Sequence, residues 1–265
     1  MSRISLTKLR QMKQKGEKIA TLTAYDASFA KILEQAGVDV ILVGDSLGNV
    51  VQGRDSTVPV SLDEMVYHTK LVRNGSERAF IIADLPFLSY ASPEQAVASA
   101  ARLMKEGGAQ MVKLEGGSVM VETVRRLASL SVPVCAHLGL LPQSVHKVGG
   151  YRIQGREAQD AEAILADARA MDEAGADVLV LECVPRDLAR RISEAVNMPV
   201  IGIGAGPDTD GQVLVLYDML GITPGKRPSF SHDFLASTAS IEEAVASYVQ
   251  QVRDGRFPAE EHCFN

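Results

Sequence analysis

VILVGDSLGNVVQGRDST, residues 40–57, opens on an unbroken apolar run from Val40 to Val43, then passes through Gly44 directly to Asp45 and Ser46. A strand with one solvated face alternates apolar and polar residues. A continuous apolar run belongs instead to a strand covered on both faces, as in a parallel sheet wrapped by crossover helices. No polar ramp precedes the carboxylate, so Asp45 stands at the carboxyl end of that strand. The construction recurs in IATLTAYD (19–26), AFIIADLPF (79–87), QMVKLEGG (110–117), VPVCAHLG (132–139), DVLVLECVP (177–185) and MPVIGIGAG (198–206). Strands are therefore predicted over 19–26, 38–45, 79–84, 110–115, 132–138, 177–182 and within 198–206.

Helical patterns lie between these runs. Leu6, Leu9 and Met12 recur at helical spacing over 5–15, and Gly16 stops that opening helix. Further helices are predicted over 27–35, from Ser61 (with Glu64 completing a capping box), from Ser92 and Pro93, around Val119, Val121, Val124 and Leu127, and over 158–173, 186–196 and 241–253. Residues 46–59 and 142–156 read as polar loops. The apolar stretch 212–220 reads as helical, which leaves an eighth strand near 228–230, crowded by Pro224, Gly225 and Pro228. Seven βα units and an eighth predict a single (β/α)8 TIM barrel over residues 1–265, preceded by an N-terminal helix. A doubly wound dinucleotide fold is the competitor. It requires G-x-G-x-x-G after an early strand, and Gly44, Gly48 and Gly53 have the wrong spacing, while Gly202, Gly204 and Gly206 come late and meet Pro207.

The chain has 265 residues and a net charge of −6, from 27 basic and 33 acidic side chains. Its short basic pairs, Arg125-Arg126 and Arg190-Arg191, fall on solvated helix faces, so no nucleic-acid surface is expected. Cys135, Cys183 and Cys263 are too few and too scattered for a disulfide framework or a zinc site, and they point to the reducing cytoplasm. The opening residues are charged and lack the apolar segment of a signal peptide. No run approaches the roughly 20 apolar residues that span a bilayer, so no membrane partner is expected.

In a barrel the residues that end the strands gather at one mouth, however far apart in sequence. That set is Asp26, Asp45 with Ser46, Asp84, Lys113 with Glu115, His137 and Glu182. An acid after a strand often caps the next helix, and Asp26 suits that role. Lys113 and Glu115 are two residues apart and so share a face. Asp45, Asp84 and Glu115 converging in a poorly solvated mouth would repel one another, and a hard divalent cation with oxygen ligands, Mg2+, removes that cost. Zinc is disfavoured because His137 stands alone. Glu182 is either a general base or a helix cap ahead of Pro185. His137 is either a core histidine or a hydrogen-bond donor to substrate. IGIGAG is either a phosphate cradle or a tight turn.

TAYD (23–26), VGDSLGNVVQG (43–53), ADLPF (83–87), VKLEGG (112–117), HLGLLPQS (137–144), GGYRIQGR (149–156), LECVP (181–185) and IGIGAG (201–206) resemble, in order and across nearly the whole chain, the ketopantoate hydroxymethyltransferase family. The resemblance implies a Mg2+-dependent barrel of the phosphoenolpyruvate mutase/isocitrate lyase group that assembles as a homodecamer. It implies the transfer of a hydroxymethyl group from 5,10-methylenetetrahydrofolate to 3-methyl-2-oxobutanoate, forming 2-dehydropantoate through a metal-bound enolate. By the same resemblance Asp45 and Asp84 are metal ligands that also meet the substrate, and Glu115 is the third acid of the metal site. Ser46 and Lys113 bind substrate, His137 lies near it, and Glu182 is the proton acceptor. A sister C–C lyase or mutase would be expected to carry a cysteine in a flexible loop, and 142–156 has none. A barrel kept only as a scaffold would be expected to lose acids from the rim, and none is missing.

Overall fold

The computed structural model describes residues 3–150, 152–223 and 225–265. Tyr151 of the GGYRIQGR stretch, Pro224 beside the expected eighth strand, and the first two residues lie outside them. Among the described residues eight parallel strands close a barrel in simple sequence order. Helix α1 (Leu6–Lys15) comes first, capped by Ser5 and stopped by Gly16 in the left-handed conformation. Then follow β1 (Ile19–Thr23), α2 (Ala27–Gln35), β2 (Val40–Val43), the short α3 (Leu47–Val50) and α4 (Leu62–Gly75). Next are β3 (Phe80–Asp84), α5 (Pro93–Lys105), β4 (Met111–Glu115), α6 (Val121–Ser129), β5 (Val134–Gly139) and the short α7 (Val145–Val148). The chain continues through α8 (Ala158–Ala174), β6 (Val178–Glu182), α9 (Arg186–Ala195), β7 (Val200–Ile203), β8 (Gly211–Leu214), α10 (Leu216–Met219) and α11 (Ile241–Arg253).

Every strand is buried along nearly its full length, as the continuous apolar runs require, because helices cover the outside and side chains fill the inside. Helix α1 packs under the amino ends of the strands. Lys13 Nζ donates to Asp210 Oδ2, Ser193 O and Met198 O, each at 2.9 Å. At the seam, Tyr248 of α11 donates to the backbone carbonyls of Thr21 and Gln212, tying the last helix to both β1 and β8. The Ser61–Glu64 capping box forms as expected.

The eighth strand differs from its expected position. It is Gly211–Leu214, paired with Ile19–Leu22 of β1 and with Ile201 and Gly202 of β7. Residues 228–230 are loop and turn, and 212–220 is not one helix but a strand followed at once by α10. The alternation of strand and helix breaks here: residues 204–210 link β7 to β8 with no helix between them. A four-residue strand needs little return path, so a short connection suffices where longer parallel strands need a full crossover. Close packing at the seam demands Gly211, since a Cβ there would lie 2.4 Å from the carbonyl oxygen of Ile19. The expected loop 46–59 also contains α3.

Candidate active site at the carboxyl rim

Strand register decides which side chains meet. In a parallel barrel, level residues on neighbouring strands face the same way. Asp84 is level with Lys113, Glu115 with His137, and Glu182 with Ile203. These residues, with Thr23, Leu42, Val180 and Val213, line one cavity of about 610 Å³ opening at the carboxyl ends of the strands. Lys113 and Glu115 both enter it, as their spacing predicts. Asp45 lies just beyond β2, where the chain turns into α3, and its backbone N–H donates to Asp84 Oδ2 at 3.0 Å. Ser46 precedes α3 without capping it, and its hydroxyl pairs with Tyr25 Oη at 2.9 Å. The lip carries Arg152, Arg227, Phe230 and Phe264.

Lys113 Nζ lies 3.0 Å from Asp84 Oδ1, an ion pair whose geometry leaves that buried oxygen without a directed hydrogen bond. His137 stands between two acids, with Nδ1 3.5 Å from Glu115 Oε1 and Nε2 3.1 Å from Glu182 Oε2. The latter contact is close enough for an ion pair but off the hydrogen-bond direction. Burial and the Lys113 charge work against an imidazolium. The two carboxylates outweigh them and hold His137 up to about 9. The 3.3 Å approach of Lys113 Nζ to His137 Nδ1 is then a contact between two donors, compensated by the acids around both. Burial likewise opposes the Lys113 ammonium, and Asp84, Glu115 and Asp45 overcome it and raise its pKa.

The acids divide. Burial, then the Asp84 and Glu115 charges, push Asp45 well above the ordinary carboxylate range. Asp84 is also raised, by burial, with Lys113 pulling against it. Glu115 is lowered: burial is outweighed by the hydrogen bond and charge of His137, by Lys113 and by the Gln143 N–H. At the floor of the cavity the carboxylates of Asp45, Asp84, Glu115 and Glu182 outnumber the two cations among them, Lys113 and His137. Among the described residues no three His, Cys, Asp or Glu side chains are spaced to hold a metal by themselves. The donor set nevertheless suits Mg2+, which takes one or two carboxylates and completes its octahedron with water and substrate oxygens. The undirected Asp84 Oδ1 and the raised Asp45 are what a divalent cation would relieve.

Asp26 is a helix cap: its Oδ1 accepts from Phe29 N at 2.9 Å, at the start of α2. IGIGAG is the end of β7 and the turn that follows it, with Gly204 and Gly206 at positive φ, and no helix begins there. Glu182 caps nothing, since Pro185 occupies the position before α9. Cys183 follows it at φ 49°, a strained setting for a non-glycine residue. Two buried polar residues of the site were not apparent as chemistry in the sequence: Gln143, inside HLGLLPQS, and Tyr90, between β3 and α5.

A closed parallel (β/α)8 barrel with acids at its carboxyl rim defines the fold class, and solved structures of low sequence identity share that fold. One of them, 2,3-dimethylmalate lyase, matches with a TM-score of 0.56 and 20% identity, over 79% of this chain and 80% of that one. Phosphonopyruvate hydrolase, solved with oxalate and Mg2+, matches with a TM-score of 0.61 and 13% identity, over 97% of both chains. Within that class, the sequence model of the ketopantoate hydroxymethyltransferase family matches residues 3–260, and the chain belongs to that family. The 3-methyl-2-oxobutanoate hydroxymethyltransferase of Nitrosococcus oceani is 60% identical over 258 residues, 97% of this chain and 98% of that one. 

Proposed function

We propose that the chain transfers a hydroxymethyl group from 5,10-methylenetetrahydrofolate to 3-methyl-2-oxobutanoate, giving 2-dehydropantoate and tetrahydrofolate for pantothenate and coenzyme A synthesis. Family membership over nearly the whole chain supports the reaction. The observation that carries the site assignment is the convergence of Asp45, Asp84, Lys113, Glu115, His137 and Glu182 on one cavity.

Asp45 and Asp84 would hold Mg2+, with Glu115 as the third acid beside it. When bound, the ion supplies Lewis-acid polarisation of the keto group. Ser46 holds the keto-acid carboxylate with its hydroxyl. Glu182 takes the proton from C3 of the substrate. It sits at the end of an apolar strand, largely shielded from water, as a general base should be. Water releases the one-carbon unit from the folate as formaldehyde, its two protons going to the two nitrogens of tetrahydrofolate, and the C3 carbon so freed adds to that formaldehyde, whose oxygen takes up the proton removed by Glu182. Lys113 places its ammonium where negative charge develops on the keto oxygen, a role an ammonium performs best when fixed in a dry site. His137 holds Glu182 in place from the side opposite Glu115.

The protein is further proposed to work as a homodecamer in the cytoplasm. Exposed Leu88 and Val119 on the rim loops support assembly, and three free cysteines support a reducing compartment. No helix among the described residues is long and apolar enough to cross a membrane. Deuterium exchange at C3 of 3-methyl-2-oxobutanoate in D2O, with and without a chelator, tests the proton-transfer step. Adding 5,10-methylenetetrahydrofolate and measuring 2-dehydropantoate tests the transfer. Exchange without transfer would identify a lyase or mutase, and no exchange a scaffold.

A further inference from the structure

On each of the three acids, one oxygen is held by an N–H group of the protein. Asp84 Oδ2 accepts from the Asp45 backbone. The other two bonds both come from Gln143: its Nε2 donates to Asp45 Oδ2 at 2.9 Å, and its backbone N donates to Glu115 Oε2 at 3.0 Å. Gln143 is 5% exposed, and its amide is fully used. The second Nε2 hydrogen reaches the carbonyl of Leu85 at 2.9 Å, and Oε1 accepts from the hydroxyl of Tyr90. Tyr90 is buried too, and its oxygen lies 3.3 Å from the backbone N of Glu115. A single residue thus joins the segments that follow β2, β3 and β5 to the end of β4.

We propose that Gln143, oriented by Tyr90, is a positioning residue that turns the carboxylates of Asp45 and Glu115 so that their remaining oxygens face a divalent cation. The inference rests on the Mg2+ reading of the site. An amide suits the task because it donates to an anion without adding a competing charge. A lysine there would neutralise the acids, and a carboxylate would repel them. The Tyr90 hydroxyl fixes which end of the amide meets Asp45, since it donates to the oxygen and leaves the nitrogen for the acid. Burial raises the Tyr90 pKa, which keeps that hydroxyl protonated as a donor. Hydrogen-bonding partners of this kind around metal ligands typically account for about 10–100-fold in metal affinity.

The test is Mn2+ binding to the intact protein, read by electron paramagnetic resonance without turnover, together with the melting temperature. Gln143→Glu is nearly isosteric but loses the donor to Asp45, and Tyr90→Phe loses only the hydroxyl. Expected is Mn2+ affinity weakened about 10–100-fold in Gln143→Glu and about 3–10-fold in Tyr90→Phe. The spectrum of the bound ion should change while the melting temperature of Tyr90→Phe stays near wild type. Wild-type affinity and spectrum in folded Gln143→Glu would overturn the proposal. If that variant does not fold, Tyr90→Phe decides alone, and unchanged binding there overturns it. Wild-type protein that fails to bind Mn2+ would remove the metal reading itself, and this proposal with it.

Discussion

His137 Nε2 lies 3.1 Å from Oε2 of Glu182, and the imidazole is buried between that carboxylate and Glu115. The pair holds the proposed base in place at the wall of the cavity. Glu182→Gln preserves shape but cannot accept a proton. It should reduce C3 deuterium exchange by about 10²–10⁴-fold, while keto-acid binding, followed by calorimetry, changes little. Wild-type exchange in this variant would dismiss Glu182 as the base.

Asp84 meets both the Asp45 backbone N–H and the Lys113 ammonium. Asp84→Asn keeps the shape and the first contact but removes a charge from the proposed metal site. Metal-dependent binding of 3-methyl-2-oxobutanoate should weaken at least about 10-fold, and chelator treatment of the wild type should have the same effect. Calorimetric titration with and without Mg2+ checks both, and equal affinities throughout would exclude a cation at these acids.

Gly139 has φ 88°, and a Cβ added to it would lie 2.1 Å from the carbonyl oxygen of Glu182. The obstacle is backbone and cannot swing away. Gly139→Ala should cost at least about 2 kcal/mol, combining left-handed strain with overpacking, and should lower exchange activity by shifting Glu182. The urea midpoint measures the first effect, and an unchanged midpoint would contradict it.

Away from the site, the Glu34 carboxylate accepts from the Ser76 hydroxyl and from the backbone N–H groups of Glu77, Arg78 and Ala79, fixing the chain ahead of β3. Burial would raise its pKa, but these four donors outweigh burial and lower it below the ordinary carboxylate range. A depressed folded-state value means stability that is full above the unfolded pKa and is lost as pH falls through the folded one. Glu34→Gln should therefore cost about 1–2 kcal/mol at pH 7, allowing for its partial exposure. The gap from wild type should narrow below about pH 4. Urea unfolding at both pH values checks the sign, and a gap that widens on acidification would refute it.

Much of this architecture was legible in the chain because burial on both faces leaves a local mark. Runs such as Val40–Val43 and Val178–Leu181 are continuous where a half-exposed strand would alternate. The acids that end them were legible as a set because barrel geometry brings strand ends together. The strand at Gly211–Leu214 was not, because it follows β7 without a helix and runs almost directly into α10, so no change of period marks its edges. Gln143 and Tyr90 were missed for a different reason: their hydrogen bond joins residues 53 apart, and no local pattern encodes it.

By itself, then, the sequence determined the class of fold, the number of buried strands but one, and the list of acids available at the rim. Only the tertiary structure decided that Asp45 turns into the cavity, where Asp26, in the same kind of position after a strand, caps the next helix as its sequence suggests. The periodicity of apolar residues is a property of neighbours in the chain. The Asp26 carboxylate meets a donor three residues along its own chain, the Phe29 N–H, whereas that of Asp45 is aimed by a donor that folding brings from 98 residues away, the Gln143 amide.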